Sequence, residues 1–391
     1  MKLISCSILL SLLMAVSACQ SPVATPVGAA VISSTTLAAN ASSEELDGTP
    51  GPDPQALPTA THTPAPTITH TPTATFTASP THPPKISLLF TGIIVPARCV
   101  QAGIDKRDDP GYPYAEVRHL IQEADLAVGT LNATISDYPP PTGCVPTFVL
   151  VGDSRNAAAL AEAGFDVMSV ATNHIKNCGL SNCGDRAFLD TLENLHQAGV
   201  IPVGAGNNLA EALEPVVVNV MGVRFGIVSL GQIEPMAFAG ADKPGIAVLD
   251  DDNLRASIAA ARQVSDVVIA MPHWGPEYSP NPNYYQLHFA QVAVEAGADL
   301  VVGNHTHVVQ AVQEIDGVQV FYGLGNFVFD QNWSRETQQG LILRVEYEGD
   351  RYMGYELIPT HVDREGRVRL ADEAEAAEIL ERIEAASRKL P

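Results

Sequence analysis

Val267-Val268-Ile269-Ala270-Met271-Pro272-His273-Trp274-Gly275 and Leu300-Val301-Val302-Gly303-Asn304-His305-Thr306-His307 are two apolar runs, and each ends in histidine. Between them Tyr284–Ala296 has helical spacing. A short apolar strand, a helix and a second short apolar strand form a crossover unit, which predicts parallel pairing. Upstream, a helix near Asp252–Val264 leads into the first run, and Pro215–Val220 and Val223–Leu230 flank Met221-Gly222 as a hairpin. Further upstream, Ile86–Phe90, Asp125–Gly129, Thr147–Val151, Phe165–Ala171 and Val200–Val203 read as strands. Helices are expected at Tyr114–Ala124, from the N-cap Ser154 to Ala163, and at Asp185–Ala198, the last two stopped by Gly164 and Gly199. Downstream, Val318–Tyr322, Leu341–Tyr347 and Tyr352–Ile358 read as antiparallel strands. The fold class is therefore α/β: a mainly parallel sheet with a second, mixed sheet packed on it. Active residues in such folds sit on loops at the carboxyl ends of strands.

Composition agrees with one folded unit behind a long leader. The 391 residues carry 22 Lys and Arg against 44 Asp and Glu, a net charge of −22. Hydrophobic residues make up 46% and charged residues 17%, enough for a substantial core. The acidic balance argues against a nucleic-acid partner, because no basic excess is available for phosphates. A small anionic substrate needs only a locally positive site.

Lys2 precedes an unbroken apolar run, Leu3–Val16, too short to span a membrane and shaped like a secretory signal. Val16-Ser17-Ala18-Cys19 resembles a bacterial lipobox, so residues 1–18 read as a signal and Cys19 as the lipidated first mature residue, anchored to the outer face of the cell membrane. Residues 19–84 are rich in Thr, Pro, Ala and Ser and read as an extended, disordered tether. The folded domain is expected over 85–362. Residues 363–391 follow it, with a charged amphipathic helix over Ala371–Lys389 whose charges face solvent. Cys99, Cys144, Cys178 and Cys183 remain in the exported part; an even number favours disulfides, and the short loop favours Cys178 with Cys183, leaving Cys99 with Cys144.

Three strand ends carry the chemistry: Ala171-Thr172-Asn173-His174, Pro272-His273-Trp274-Gly275 with Glu277 behind, and Gly303-Asn304-His305-Thr306-His307. In an extended segment His305 and His307 point to one side. Asn173, His273, His305 and His307 then form a candidate ligand set for a divalent metal such as zinc, manganese or iron. His174, His273 and Glu277 are candidates for proton transfer. Trp274 serves as a substrate platform or as core packing. Asn326, within Gly323-Leu324-Gly325-Asn326-Phe327, shapes a turn near the cleft, and with Asn132 it is a candidate for ligand contact.

These segments resemble the CapA family of capsule or poly-γ-glutamate synthesis proteins over about Ile86–Phe329. Besides the histidine stretches, Phe90-Thr91-Gly92-Ile93, Val128-Gly129-Thr130-Leu131-Asn132, Pro202-Val203-Gly204-Ala205-Gly206 and Tyr322-Gly323-Leu324-Gly325-Asn326-Phe327-Val328-Phe329 fall in the family's order. The resemblance implies a metallophosphoesterase-like α/β/β/α sandwich and an anionic polymer as substrate, with other capsule-synthesis proteins as partners. It also exposes departures. Ile93 and Asn132 stand where the family has carboxylates, Thr172 where it has Asn, and Asn177 where an acidic residue commonly follows. A two-metal site needs anionic ligands against about four positive charges, so a two-metal centre is not expected here.

Three readings follow. The first is a surface-anchored CapA-like protein that makes, processes or retains an anionic capsule polymer. The second is a binding module without turnover on the same fold. The third is a metallophosphoesterase using Asp153, since Gly152-Asp153 also follows an expected strand and precedes a helix.

Overall fold

Along the strand Lys85–Ile94, Ile86, Leu88 and Phe90 face one way and Leu89 the other, and this period of two organises the whole molecule. The computed structural model describes residues 82–176, 185–233 and 235–391. The expected signal, Cys19, the expected tether up to residue 81, and the Cys178 and Cys183 pair lie outside the described residues.

Two large sheets stack face to face. In the first, the strands run Val368–Leu370, Arg351–Val362, Gln339–Glu348, Lys85–Ile94, Leu126–Leu131, Val167–Ser169 and Ile201–Val203, with Asn326–Val328 pairing the end of Lys85–Ile94. In the second the order is Val312–Ile315, Val318–Phe321, Leu300–Val302, Val267–His273, Val223–Gly231 and Val216–Val220. The centre of each sheet is parallel, as the crossover pattern predicts. Antiparallel strands close both edges of the second sheet and one edge of the first, whose other edge, Ile201–Val203, is parallel. The fold class read from the sequence is thus correct: two mixed sheets in an α/β/β/α sandwich.

Three apolar layers hold it together. Ile86, Phe90 and Val128 meet Phe225, Ile227 and Ile269 between the sheets. The alternate residues Leu89, Ala127 and Met168 pack under the helices Arg155–Ala163 and Arg186–Ala198 on one outer face. Val228, Val268 and Ala270 pack under Asp251–Val264 and Tyr284–Ala296 on the other. Ser169 and Ser229 bridge the inner layer through their hydroxyls at 2.7 Å.

Some elements differ from expectation. Only Val151–Gly152 of the expected strand at Thr147–Val151 is extended, paired with Thr134–Ile135 outside the main sheets. Phe148 is exposed there while Leu150 and Val151 are buried, so only the end of the segment packs into the core. The C-terminal helix Glu373–Ser387 is not wholly solvated on its charged side. Glu375 is buried, with its carboxylate taking His361 at 2.8 Å and Arg369 at 3.1 Å, while Ile379 and Ile383 join the layer between the sheets. Among the described residues no helix is long and apolar enough to cross a membrane.

Candidate functional site

The carboxyl ends of the two parallel arrays meet. The Asn304 side-chain amide donates to Thr130 Oγ1 across the sheets at 2.8 Å, and Thr172 Oγ1 donates to the Leu131 carbonyl at 2.8 Å. Asn132 Oδ1 accepts the His174 backbone N–H at 3.0 Å. These bonds fix Asn173 opposite the His273 strand. There Asn173 Oδ1 lies 3.0 Å from His273 Nε2, and His305 Nδ1 lies 3.1 Å from the same nitrogen. All three side chains are buried.

The segment carrying His305 and His307 is not extended. His305 has φ 104° and His307 φ 59°, both in the left-handed region that L residues seldom occupy. The backbone is pinned on both sides: Asn304 N–H donates to Pro272 O at 3.0 Å, and Tyr278 N–H donates to Thr306 O at 2.8 Å. The two imidazoles therefore share the cleft through a coiled backbone, with ring centroids 6.0 Å apart, and not through alternation along a strand.

His307 belongs to a second group. Its Nδ1 lies 2.9 Å from Asn326 Oδ1, while the Asn326 amide nitrogen donates to Thr337 O at 2.8 Å and Gln331 Oε1 at 3.1 Å. Both amide protons are thereby committed to acceptors, so the oxygen must face His307, which carries its proton on Nδ1. Its Nε2 is left as a lone pair, 3.8 Å from Glu277 Oε1 and outside hydrogen-bond range. Tyr278 stacks on His307 at 5.8 Å, and Trp333 meets Tyr278 edge-on at 5.9 Å. Phe148 lies parallel to His174 at 6.4 Å.

The histidines are neutral. Burial, reinforced by the neighbouring imidazoles, holds His273 and His305 well below the usual range. Burial brings His174 and His307 down to about 4, with Arg98 adding to the effect in each. Arg98 is a cation at the edge of this group, paired with Asp330 and bonded to Thr147 O at 2.9 Å.

Residues 87–331 match the family described as bacterial capsule synthesis protein PGA_cap, a span covering all the cleft residues from Arg98 to Asp330. This chain belongs to that family. It is 30% identical over 267 residues to the capsule biosynthesis protein CapA of Bacillus anthracis, covering 66% of this chain and 63% of that protein. It is 28% identical over 260 residues to the PGA biosynthesis protein CapA of Bacillus subtilis, covering 66% of this chain and 67% of that protein. The match thus spans under two thirds of the first relative's length. Among solved structures, a phosphatase from Mycoplasma pneumoniae is similar at 13% identity and TM-score 0.46, over 75% of this chain and 97% of that one.

In this PGA_cap protein the expected metal ligands separate into two groups. Asn173, His273 and His305 converge, whereas His307 is tied to Asn326. Among the described residues no group of three or more His, Cys, Asp or Glu is placed to hold a metal ion. The two contacts through His273 Nε2, 3.0 Å to Asn173 Oδ1 and 3.1 Å to His305 Nδ1, are close to the separation of about 3.3 Å between donors about 2.05 Å from a tetrahedral ion. The cleft is also rich in unmet polar atoms. Asn132 Nδ2, His174 Nδ1, His273 Nδ1 and Asn304 Oδ1 are buried with no hydrogen-bond partner.

Other expectations need correction. Trp274 is not a substrate platform: it is wholly buried under the outer helices, its indole N–H donating to Tyr322 O at 2.9 Å. Asn326 is fully buried and orients His307 instead of lining the cleft. Asp153 lies beyond the two-residue strand Val151–Gly152, off the main sheet, with its carboxylate bound to Arg155 and to Gln101 at 2.8 Å each. The sheet passes directly from Leu126–Leu131 to Val167–Ser169, so Asp153 does not stand at a strand end beside Asn173.

Cys99 and Cys144 form a disulfide, the pairing left over by the loop argument. The sequence reading gives no role to Arg98, Phe148 or Asp330, and Tyr278 enters it only as the end of the segment His273-Trp274-Gly275-Pro276-Glu277-Tyr278. Asp330 had a visible signal, one residue past Asn326-Phe327-Val328-Phe329; Arg98 had none.

Proposed function

We propose that this protein acts at the cell envelope on an anionic capsule polymer of the poly-γ-glutamate type, with one divalent cation, Zn, Mn or Fe, held by Asn173, His273 and His305. Family membership and the capsule-biosynthesis names of the relatives support the polymer. The observation that carries the site is the approach of Asn173 Oδ1, His273 Nε2 and His305 Nδ1 within 3.0 to 3.1 Å of one another along two contacts. Bound there, a cation would supply Lewis-acid polarisation of a carbonyl or phosphoryl oxygen. His307 Nε2 is a proton acceptor of fixed tautomer, and Glu277 stands close enough to take the proton onward after a small shift. His174 closes the far side under Phe148. In this reading Cys19 carries the lipid anchor.

A second reading is a binding module without turnover. Neutral donors and Asn132 in a carboxylate position favour it, since a neutral trio holds a cation less firmly than one with a carboxylate. Metal content separates the two. The protein purified without chelator should carry about one equivalent of metal, and His273→Ala/His305→Ala should carry none. Metal-free wild-type protein that still binds polymer would favour the second reading.

A further inference from the structure

Beside the histidine cleft lies a separate cavity of about 200 Å³. Arg98, Arg364, Trp333, Asp330 and the Cys99–Cys144 disulfide form its walls. It adjoins the cleft through aromatic contacts: Trp333 touches Tyr278, and Tyr278 stacks on His307. We propose that this cavity is an acceptor subsite for one carboxylate-bearing unit of the polymer, with Arg364 taking the carboxylate and the Trp333 face packing on the unit's methylenes. This deepens the polymer reading above and rests on it.

Charge and geometry carry the assignment. The chain bears a net −22, so a polyanion is repelled by most of its surface and needs a local reversal of sign. Two arginines face one aspartate in this cavity, a local excess of one positive charge. Asp330 is taken up by Arg98 and by the Cys99 N–H at 3.1 Å. Glu365, next to Arg364, is engaged by Arg107 at 2.5 Å and by Lys106 at 3.8 Å. Arg364 is exposed and makes no salt bridge among the described residues; the neighbouring Glu365 carboxylate feels its charge but is hydrogen-bonded to Arg107. Its fork geometry suits a carboxylate. Trp333 is 60% exposed, a large apolar surface beside these cations.

The test uses a reporter the chain already contains. Of its two tryptophans, Trp274 is wholly buried and Trp333 is exposed, so a ligand-induced change in emission reports on this cavity. The full-length protein is titrated with a γ-linked glutamate tetramer, an α-linked tetramer and inorganic phosphate, by emission and by calorimetry. The γ-linked tetramer should change the emission, Trp333→Phe should silence that change, and Arg364→Gln should weaken binding about tenfold. Arg364→Lys should restore part of the loss. Calorimetric binding without an emission change, or an equal affinity in Arg364→Gln, would overturn the subsite. So would the absence of binding, or phosphate competing as well as the tetramer. The metal reading is judged separately by metal content, which Arg364→Gln leaves unchanged. An emission response that persists after the metal is stripped would keep the subsite whatever the metal content shows.

Discussion

Asn326 accepts the Nδ1 proton of His307 at 2.9 Å, with both side chains buried, and this one bond sets which nitrogen of His307 faces the cleft. The choice is forced from behind, by Thr337 O and Gln331 Oε1 holding the Asn326 amide protons. Asn326→Ala deletes three buried hydrogen bonds and leaves their partners unmet. It should cost about 2–4 kcal/mol, read as a lower denaturant midpoint at unchanged slope. Asn326→Asp keeps the shape but adds a negative charge, and should raise the His307 pKa above its present value of about 4, read by NMR titration of the ring.

Acid should destabilise the fold through the same residue. His307 is held at about 4 by burial, against 6.5 in the unfolded chain. Above pH 6.5 both states are neutral and the group contributes nothing that varies with pH. Below 6.5 the unfolded state binds the proton first, so stability falls with pH until the folded state is protonated near pH 4. His307→Gln should flatten this window by on the order of 3 kcal/mol, measured as denaturant stability at pH 7 and pH 4.

The fold was legible because the central strands alternate between two buried layers and the crossover helices cover the outer faces. Ile269 and Met271 against Val268 and Ala270 show the pattern, with the inner pair in one core and the outer pair in another. The histidine cleft was legible because strand exits are where such folds expose chemistry, and the Asn-His and His-Thr-His spacings fall there. The partition of the histidines was not. It depends on positive φ at His305 and His307, and on Asn326, which reaches His307 from another strand; neither leaves a mark in local spacing. Nor did periodicity settle Trp274. A strand-end indole can face the cleft or the outer layer, and here Tyr322 supplies both a carbonyl for its N–H and a ring to stack on at 5.8 Å.

Gly303 should not tolerate a side chain. A Cβ there would stand 2.3 Å from Trp274 Nε1 and 2.6 Å from Tyr322 O, between the two partners of the indole bond. Gly303→Ala should cost about 2–4 kcal/mol through overpacking and the lost bond. Because Gly303 leads directly into Asn304 and His305, the cation proposed at His305 should also be held less firmly, read as a lower metal content. A variant with unchanged melting temperature and native tryptophan emission would contradict the packing argument.

The disulfide should govern both stability and the rim of the cleft. It joins Cys99 to Cys144 across 45 residues, a loop whose closure in the unfolded chain is worth about 4 kcal/mol in the chain-entropy account. Cys99 also donates its N–H to Asp330, and neighbouring Arg98 holds Thr147 O, so the bridge and the arginine secure the same segment from two points. That segment carries Phe148, whose ring covers His174. A double Cys99→Ser/Cys144→Ser variant should lose roughly the loop-closure amount, and amide exchange over residues 145–150 should quicken more than in the sheets. The Arg98 bond should keep Phe148 partly in place, so adding Arg98→Lys should release it further, seen as a His174 ring resonance moving toward its solvent position. Equal exchange in the double and triple variants would mean that the disulfide alone holds the segment.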